Sequence, residues 1–71
     1  MELRFDRRLY TKTALKEAVE SFSHLATFSI TEEDTQYVLT LTDIDGDVDD
    51  VIKEEFANHA LYNTILRRKS W

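Results

Sequence analysis

The apolar residues of this chain change their spacing three times, and that sequence of periods restricts the fold more than anything else in it. Leu3 and Phe5 alternate with Glu2 and Arg4. A period of two is the mark of a strand with one buried side. From Lys12 to Ser23 the apolar positions are Leu15, Ala18, Val19 and Phe22, widened by Ala14. These fall at i, i+3, i+4 and i+7, the stripe of an amphipathic helix. Ala26, Phe28 and Ile30 then alternate with Thr27, Ser29 and Thr31, and Tyr37, Leu39 and Leu41 with Val38, Thr40 and Thr42. The polar run Glu32–Asp34 between them is short, so the two strands should form an antiparallel hairpin. A second helix is expected from about Asp49 to Arg68, with a stripe of Val48, Ile52, Phe56 and Ala60 broadened by Ala57, Leu61 and Leu66.

The order is therefore β-α-β-β-α, an α+β class with a three-stranded sheet and two helices on one face, half of a ferredoxin-like arrangement. A right-handed crossover carries the first strand through the first helix to the second strand, and the third strand is expected between the other two. Residues 1–71 should form a single domain, since the chain is too short for two. It has one glycine and no proline, so its connections must be few and short. Thr11 is placed to cap the first helix. Asp47, Asp49 and Asp50 precede the second and Arg67, Arg68 and Lys69 close it, both favourable to the helix dipole.

A sheet covered on one side leaves the other open. That face should present Thr27, Ser29, Thr31, Val38, Thr40 and Thr42. Threonines suit strands and accept water, so a solvated face is the simplest reading. The sharper reading is a docking surface. Its outer edge, Ala26 to Thr31, carries unpaired backbone groups able to accept a partner strand. The terminal run Arg67-Arg68-Lys69-Ser70-Trp71 is a second candidate contact, because interfaces favour arginine and tryptophan. The candidate partner-binding residues are thus Thr27, Ser29, Thr31, Val38, Thr40, Arg67, Arg68 and Trp71.

Charge narrows the partner. Fourteen acids against nine bases give a net charge of −5, a sign that disfavours phosphate backbones and hence nucleic acid. There is no cysteine, so neither a disulfide framework nor a thiolate metal site is expected, which fits a reducing compartment. No apolar run reaches the ~20 residues of a membrane span. Met1–Arg8 is unlike a secretory signal. A cytoplasmic protein with a protein or peptide partner, no nucleic acid and no membrane is the expectation.

Catalytic groupings are not evident. The serines sit in no nucleophile elbow, and one glycine cannot build a phosphate loop. His24 and His59 are far apart, whereas zinc needs three or four converging ligands. The acidic segment 43–54 comes nearest to a metal motif. Asp43, Asp45, Asp47 and Asp49 alternate, and Glu54 stands twelfth, as in an EF-hand loop. Against that, Gly46 is fourth rather than sixth, Asp50 fills the apolar eighth position, and a strand leads in. Acidic capping of the second helix explains the cluster without an ion. The chain is read as a non-catalytic binding module without cofactor or metal. The alternatives are a self-associating structural domain, dimerising through its sheet edge, and a calcium-responsive module using the acidic loop.

The string Phe56-Ala57-Asn58-His59-Ala60-Leu61-Tyr62-Asn63-Thr64-Ile65-Leu66-Arg67 resembles the C-terminal helix of HxsD-like proteins of the His-Xaa-Ser systems. There a Phe-x-Asn segment is followed by apolar residues, an Asn/Asp position and a closing Leu-Arg. Tyr10 is similar to the tyrosine that opens the first helix in that family. The resemblance implies an accessory protein of a peptide-modification system, working beside radical-SAM maturases and a repeat-containing precursor peptide. It carries over no catalytic residue. Asn58 and Leu66-Arg67 are motif positions.

Overall fold

The computed structural model describes residues 1–68, with the side chains of Arg67 and Arg68 excepted. Its elements are β1 (Glu2–Asp6), α1 (Lys12–Phe22), β2 (Thr27–Glu32), β3 (Gln36–Thr42) and α2 (Ile52–Arg68). This is the β-α-β-β-α order and α+β class expected from the changing periods.

The sheet order is β1-β3-β2, and β3 is antiparallel to both neighbours. Register fixes which side chains share a face. Leu3 lies opposite Leu39 and Phe5 opposite Tyr37, while Phe28 lies opposite Leu41 and Ile30 opposite Leu39. These residues share one side. The core joins them to Leu15 and Ala18 of α1 and to Ile52, Phe56 and Ala60 of α2. Both helices therefore cover the same face of the sheet.

Phe56 is at the middle of this core. It is fully buried, with ring centroids 5.9 Å from Phe5, 5.4 Å from Phe22 and 5.2 Å from Phe28. One ring thus ties both outer strands to both helices. Tilted, edge-on and stacked pairs of this kind add to the burial itself.

Local chemistry sets the ends of the elements. Thr11 is extended, and its hydroxyl accepts the Ala14 N–H at 3.1 Å, capping α1. The Ser23 hydroxyl donates to the Glu20 carbonyl at 2.9 Å and closes the same helix. The Asp6 carboxylate accepts from the Arg8 backbone N–H at 2.8 Å and pairs with its guanidinium at 2.9 Å. That hydrogen-bonded Arg8 side chain holds the Asp6 carboxyl below its ordinary pKa.

The second helix departs from expectation in two ways. It begins at Ile52 rather than Asp49, after a run of turns from Gly46 to Val51. Asp45 accepts the Asp47 N–H at 2.9 Å, an Asx turn that competes with helix. Its buried stripe is Ile52, Phe56, Ala60 and Thr64, whereas Leu61 and Leu66, expected to widen the core, are exposed. Successive steps of four residues follow the i±4 ridge by which helices pack. That ridge puts Thr64 inside, where its hydroxyl donates to the Ala60 carbonyl at 2.9 Å.

Candidate functional site: an open sheet face and edge

The side of the sheet away from the helices is built by register from Glu2, Arg4 and Asp6 of β1, Gln36, Val38, Thr40 and Thr42 of β3, and Thr27, Ser29 and Thr31 of β2. Thr27, Ser29, Thr31, Thr40 and Thr42 are all exposed. The structure brings them together: Ser29 is the register partner of Thr40, and Thr27 of Thr42.

Val38 is the exception among the expected contact residues. It lies on this face but is only 5% exposed, so it offers a partner almost nothing. Its register partners are Arg4 on one side and Thr31 on the other. A long arginine stem beside it covers apolar surface while keeping its charge in water. The Arg4 guanidinium is held by Glu2 at 2.8 Å and Glu33 at 3.5 Å. The expected contacts at Trp71 and at the side chains of Arg67 and Arg68 lie outside the described residues.

Both β1 and β2 are edge strands, yet they are finished differently. The core-facing residues of β1, Leu3 and Phe5, are buried, and a shallow groove of about 390 Å³ separates this strand from Lys53 and Ala57 of α2. On β2 the core-facing Phe28 and Ile30 are only half-buried. The helical layer stops short of that edge. Beside it, Lys12 of α1 pairs with Glu32 at the end of β2, and that bond lowers the Glu32 pKa.

Other candidate groups do not converge. Among the described residues no three histidines or carboxylates come together in a way that could hold a metal ion. The left-handed residue of the acidic segment is Asp43 (φ 52°), not Gly46, so the glycine does not shape the loop as an EF-hand glycine would. His24 is exposed, and His59 packs on the Phe22 ring with centroids 5.6 Å apart. Thr64 is the only buried polar side chain among the described residues, and its hydroxyl is already bonded. Among the same residues no helix is long and apolar enough to cross a membrane.

The model of the family described as His-Xaa-Ser system protein HxsD matches residues 5–69. The chain belongs to this family. The match takes in the end of β1 and the other four elements, and the string that suggested it falls on α2. Within that string Phe56 is core, whereas Asn58 and Leu66 are exposed. In this chain Phe56 is thus a residue of the fold, and the other two face the surroundings. No curated protein and no solved structure matches the chain.

Proposed function

We propose that this chain is a non-catalytic accessory module of a His-Xaa-Ser system that holds an extended peptide segment along the outer edge of β2. The observation that carries this reading is the unfinished β2 edge. Among the described residues its backbone has no strand beyond it, its core-side residues Phe28 and Ile30 are half-covered, and its open side presents Thr27, Ser29 and Thr31. An added strand would satisfy the backbone and complete the cover over the two apolar side chains. The precursor peptide of the system, or a strand of its maturase, is the partner, in a reducing cytoplasmic setting that suits a cysteine-free chain.

A binding role agrees with the electrostatics. Catalytic acids and bases are usually tuned by burial in a dry pocket. Here the shifted pKa values of Asp6, Arg8 and Glu32 are each explained by one ion pair at a position open to solvent.

The test is an amide-shift titration of the labelled protein with a synthetic peptide of several His-Xaa-Ser repeats, and separately with the purified maturase. Shifts confined to Thr27–Glu32 and the neighbouring Thr40 and Thr42 are expected with one of them. If neither moves these amides at millimolar ligand, or if the shifts fall elsewhere, the reading is wrong.

A further inference from the structure

The two free edges of the sheet are not protected alike. β1 carries Glu2, Arg4 and Asp6 at alternate positions, and charge along an edge discourages pairing with another chain. β2 carries no charge, proline or bulge from Thr27 to Thr31. Backbone phase shows what that edge offers. Met1 and Leu41 exchange both backbone hydrogen bonds, at 3.0 and 2.8 Å, so Leu41 faces β1. The direction alternates along a strand. Thr42, Thr40 and Val38 therefore face β2, and their register partners Thr27, Ser29 and Thr31 face back. The N–H and C=O groups of Phe28, Ile30 and Glu32 point outward.

This edge complements itself. When two copies of β2 run antiparallel about a two-fold axis at Ser29, Phe28 of each lies opposite Ile30 of the other. Both residues face outward, so each such pair exchanges its backbone hydrogen bonds. Both side chains lie on the half-covered core side and cover each other there. Thr27 meets Thr31 on the open side, and Glu32 meets the uncharged Ala26. Other registers are poorer. One neighbouring register sets Phe28 against Glu32, and the other leaves Ile30 against Ala26, ahead of the strand. Intermediate shifts would bring core-side residues onto the open face.

Charge on α1 fits the same axis. The Glu32 pKa is lowered by Lys12 and, further away, by Lys16, so this side of α1 borders β2. Ser29 is about 10 Å along the strand from Glu32, the length of about six or seven helical residues from Lys12. The axis thus passes near Ala18 and Val19. Lys16 of one copy then comes level with Glu20 of the other, and both are exposed.

We infer that, in the absence of a peptide, a second copy of this chain caps the β2 edge in a two-fold dimer with Ser29 at its axis. The inference rests on the open edge of the peptide reading and gives that site its regulation, since a peptide and a second copy exclude each other. Pairing of two short strands buries a small area, so the dimer is weak and exchanges readily. It shields the edge at high concentration and yields to a ligand.

The chain has no cysteine, so introduced cysteines report the register. Ser29 meets its own copy at a Cα separation of about 4.5 Å, inside the disulfide range, whereas Thr27 and Thr31 each lie about 13 Å from their own copies. With oxidised glutathione, Ser29→Cys should form a disulfide dimer at least about tenfold faster than Thr27→Cys or Thr31→Cys, all at exposed positions. Thr27→Cys and Thr31→Cys chains, once mixed, should cross-link to each other. Glu20→Lys should slow the Ser29→Cys reaction several-fold, and adding Lys16→Glu should restore it, because the charges are then exchanged as a pair. Equal rates for the three single cysteines overturn the pairing, as does a fast cross-link only between Ser29→Cys and Thr31→Cys. A His-Xaa-Ser repeat peptide that shifts the β2 amides without slowing the Ser29→Cys reaction overturns the exclusion. Fast Ser29→Cys cross-linking in a chain whose β2 amides no peptide or maturase moves upholds the dimer and rejects the peptide reading alone.

Discussion

Replacing Phe56 is the most searching test of the fold on which the surfaces depend. The ring is fully buried and touches Phe5, Phe22 and Phe28. Truncating a buried phenylalanine to alanine costs about 3–5 kcal/mol, part of it transfer and part the cavity left behind. A chain of this length is expected to have a total stability of roughly 4–10 kcal/mol. Phe56→Ala should therefore lose between about a third of it and all of it, and in the worst case not fold. Phe56→Leu keeps most of the volume and should cost about 1–2 kcal/mol, which leaves a measurable transition. Urea unfolding followed by helical circular dichroism gives both values, with Tyr62→Ala as a matched control at an exposed aromatic position. The control should stay within about 0.5 kcal/mol of the parent. If Phe56→Ala costs no more than the control, the core is not organised around this ring, and the one-sided sheet loses its support.

Gly46 has no positive φ, and a Cβ added there meets nothing within 4 Å. Gly46→Ala should thus raise stability by about 0.4–1 kcal/mol through the unfolded chain, read as a higher urea midpoint. Thr11→Ala removes the cap of α1 and should cost about 1 kcal/mol by the same assay. Thr64→Val trades a hydroxyl bonded within its own helix for a methyl in the core and should change stability by less than about 1 kcal/mol. The Glu32 pKa is lowered in the folded chain by its bond to Lys12. Its contribution is present above the unfolded pKa and lost as pH falls through the folded one. The urea midpoint should decline on acidification below about pH 4, and Lys12→Gln should make that decline shallower.

The elements were legible in the sequence because burial on one side leaves a period, and each of the five had one. Leu3 with Phe5, Leu15 with Ala18, and Tyr37 with Leu39 and Leu41 are core where their spacing put them. The position of β3 between its neighbours was also foreseen. What was not legible depends on contacts between elements. Hydropathy assigned Leu61 and Leu66 to the core and passed over Thr64, yet the packing ridge of α2 runs through Thr64. Following the step of four from Ile52 without regard to polarity would have found it. Val38 alternates correctly with its neighbours, but whether it is exposed depends on the arginine that register places next to it. The start of α2 was missed because Asp45 captures the Asp47 backbone N–H, an interaction that acidic composition alone does not disclose. For the candidate surface, the sequence located the threonines and named the Ala26–Thr31 edge, but not that the helices leave Phe28 and Ile30 half-buried there.

The central place of β3 also governs the order in which the molecule can assemble. β2 and β3 meet through a short turn, whereas Leu3 must find Leu39 and Phe5 must find Tyr37 across an intervening helix and strand. Closing the short loop is quick, and the long one must wait until its ordering cost can be repaid. The hairpin is thus expected to act as a template, with the first strand zipping on last. Until that docking is complete, β3 offers a bare flank to any neighbouring chain.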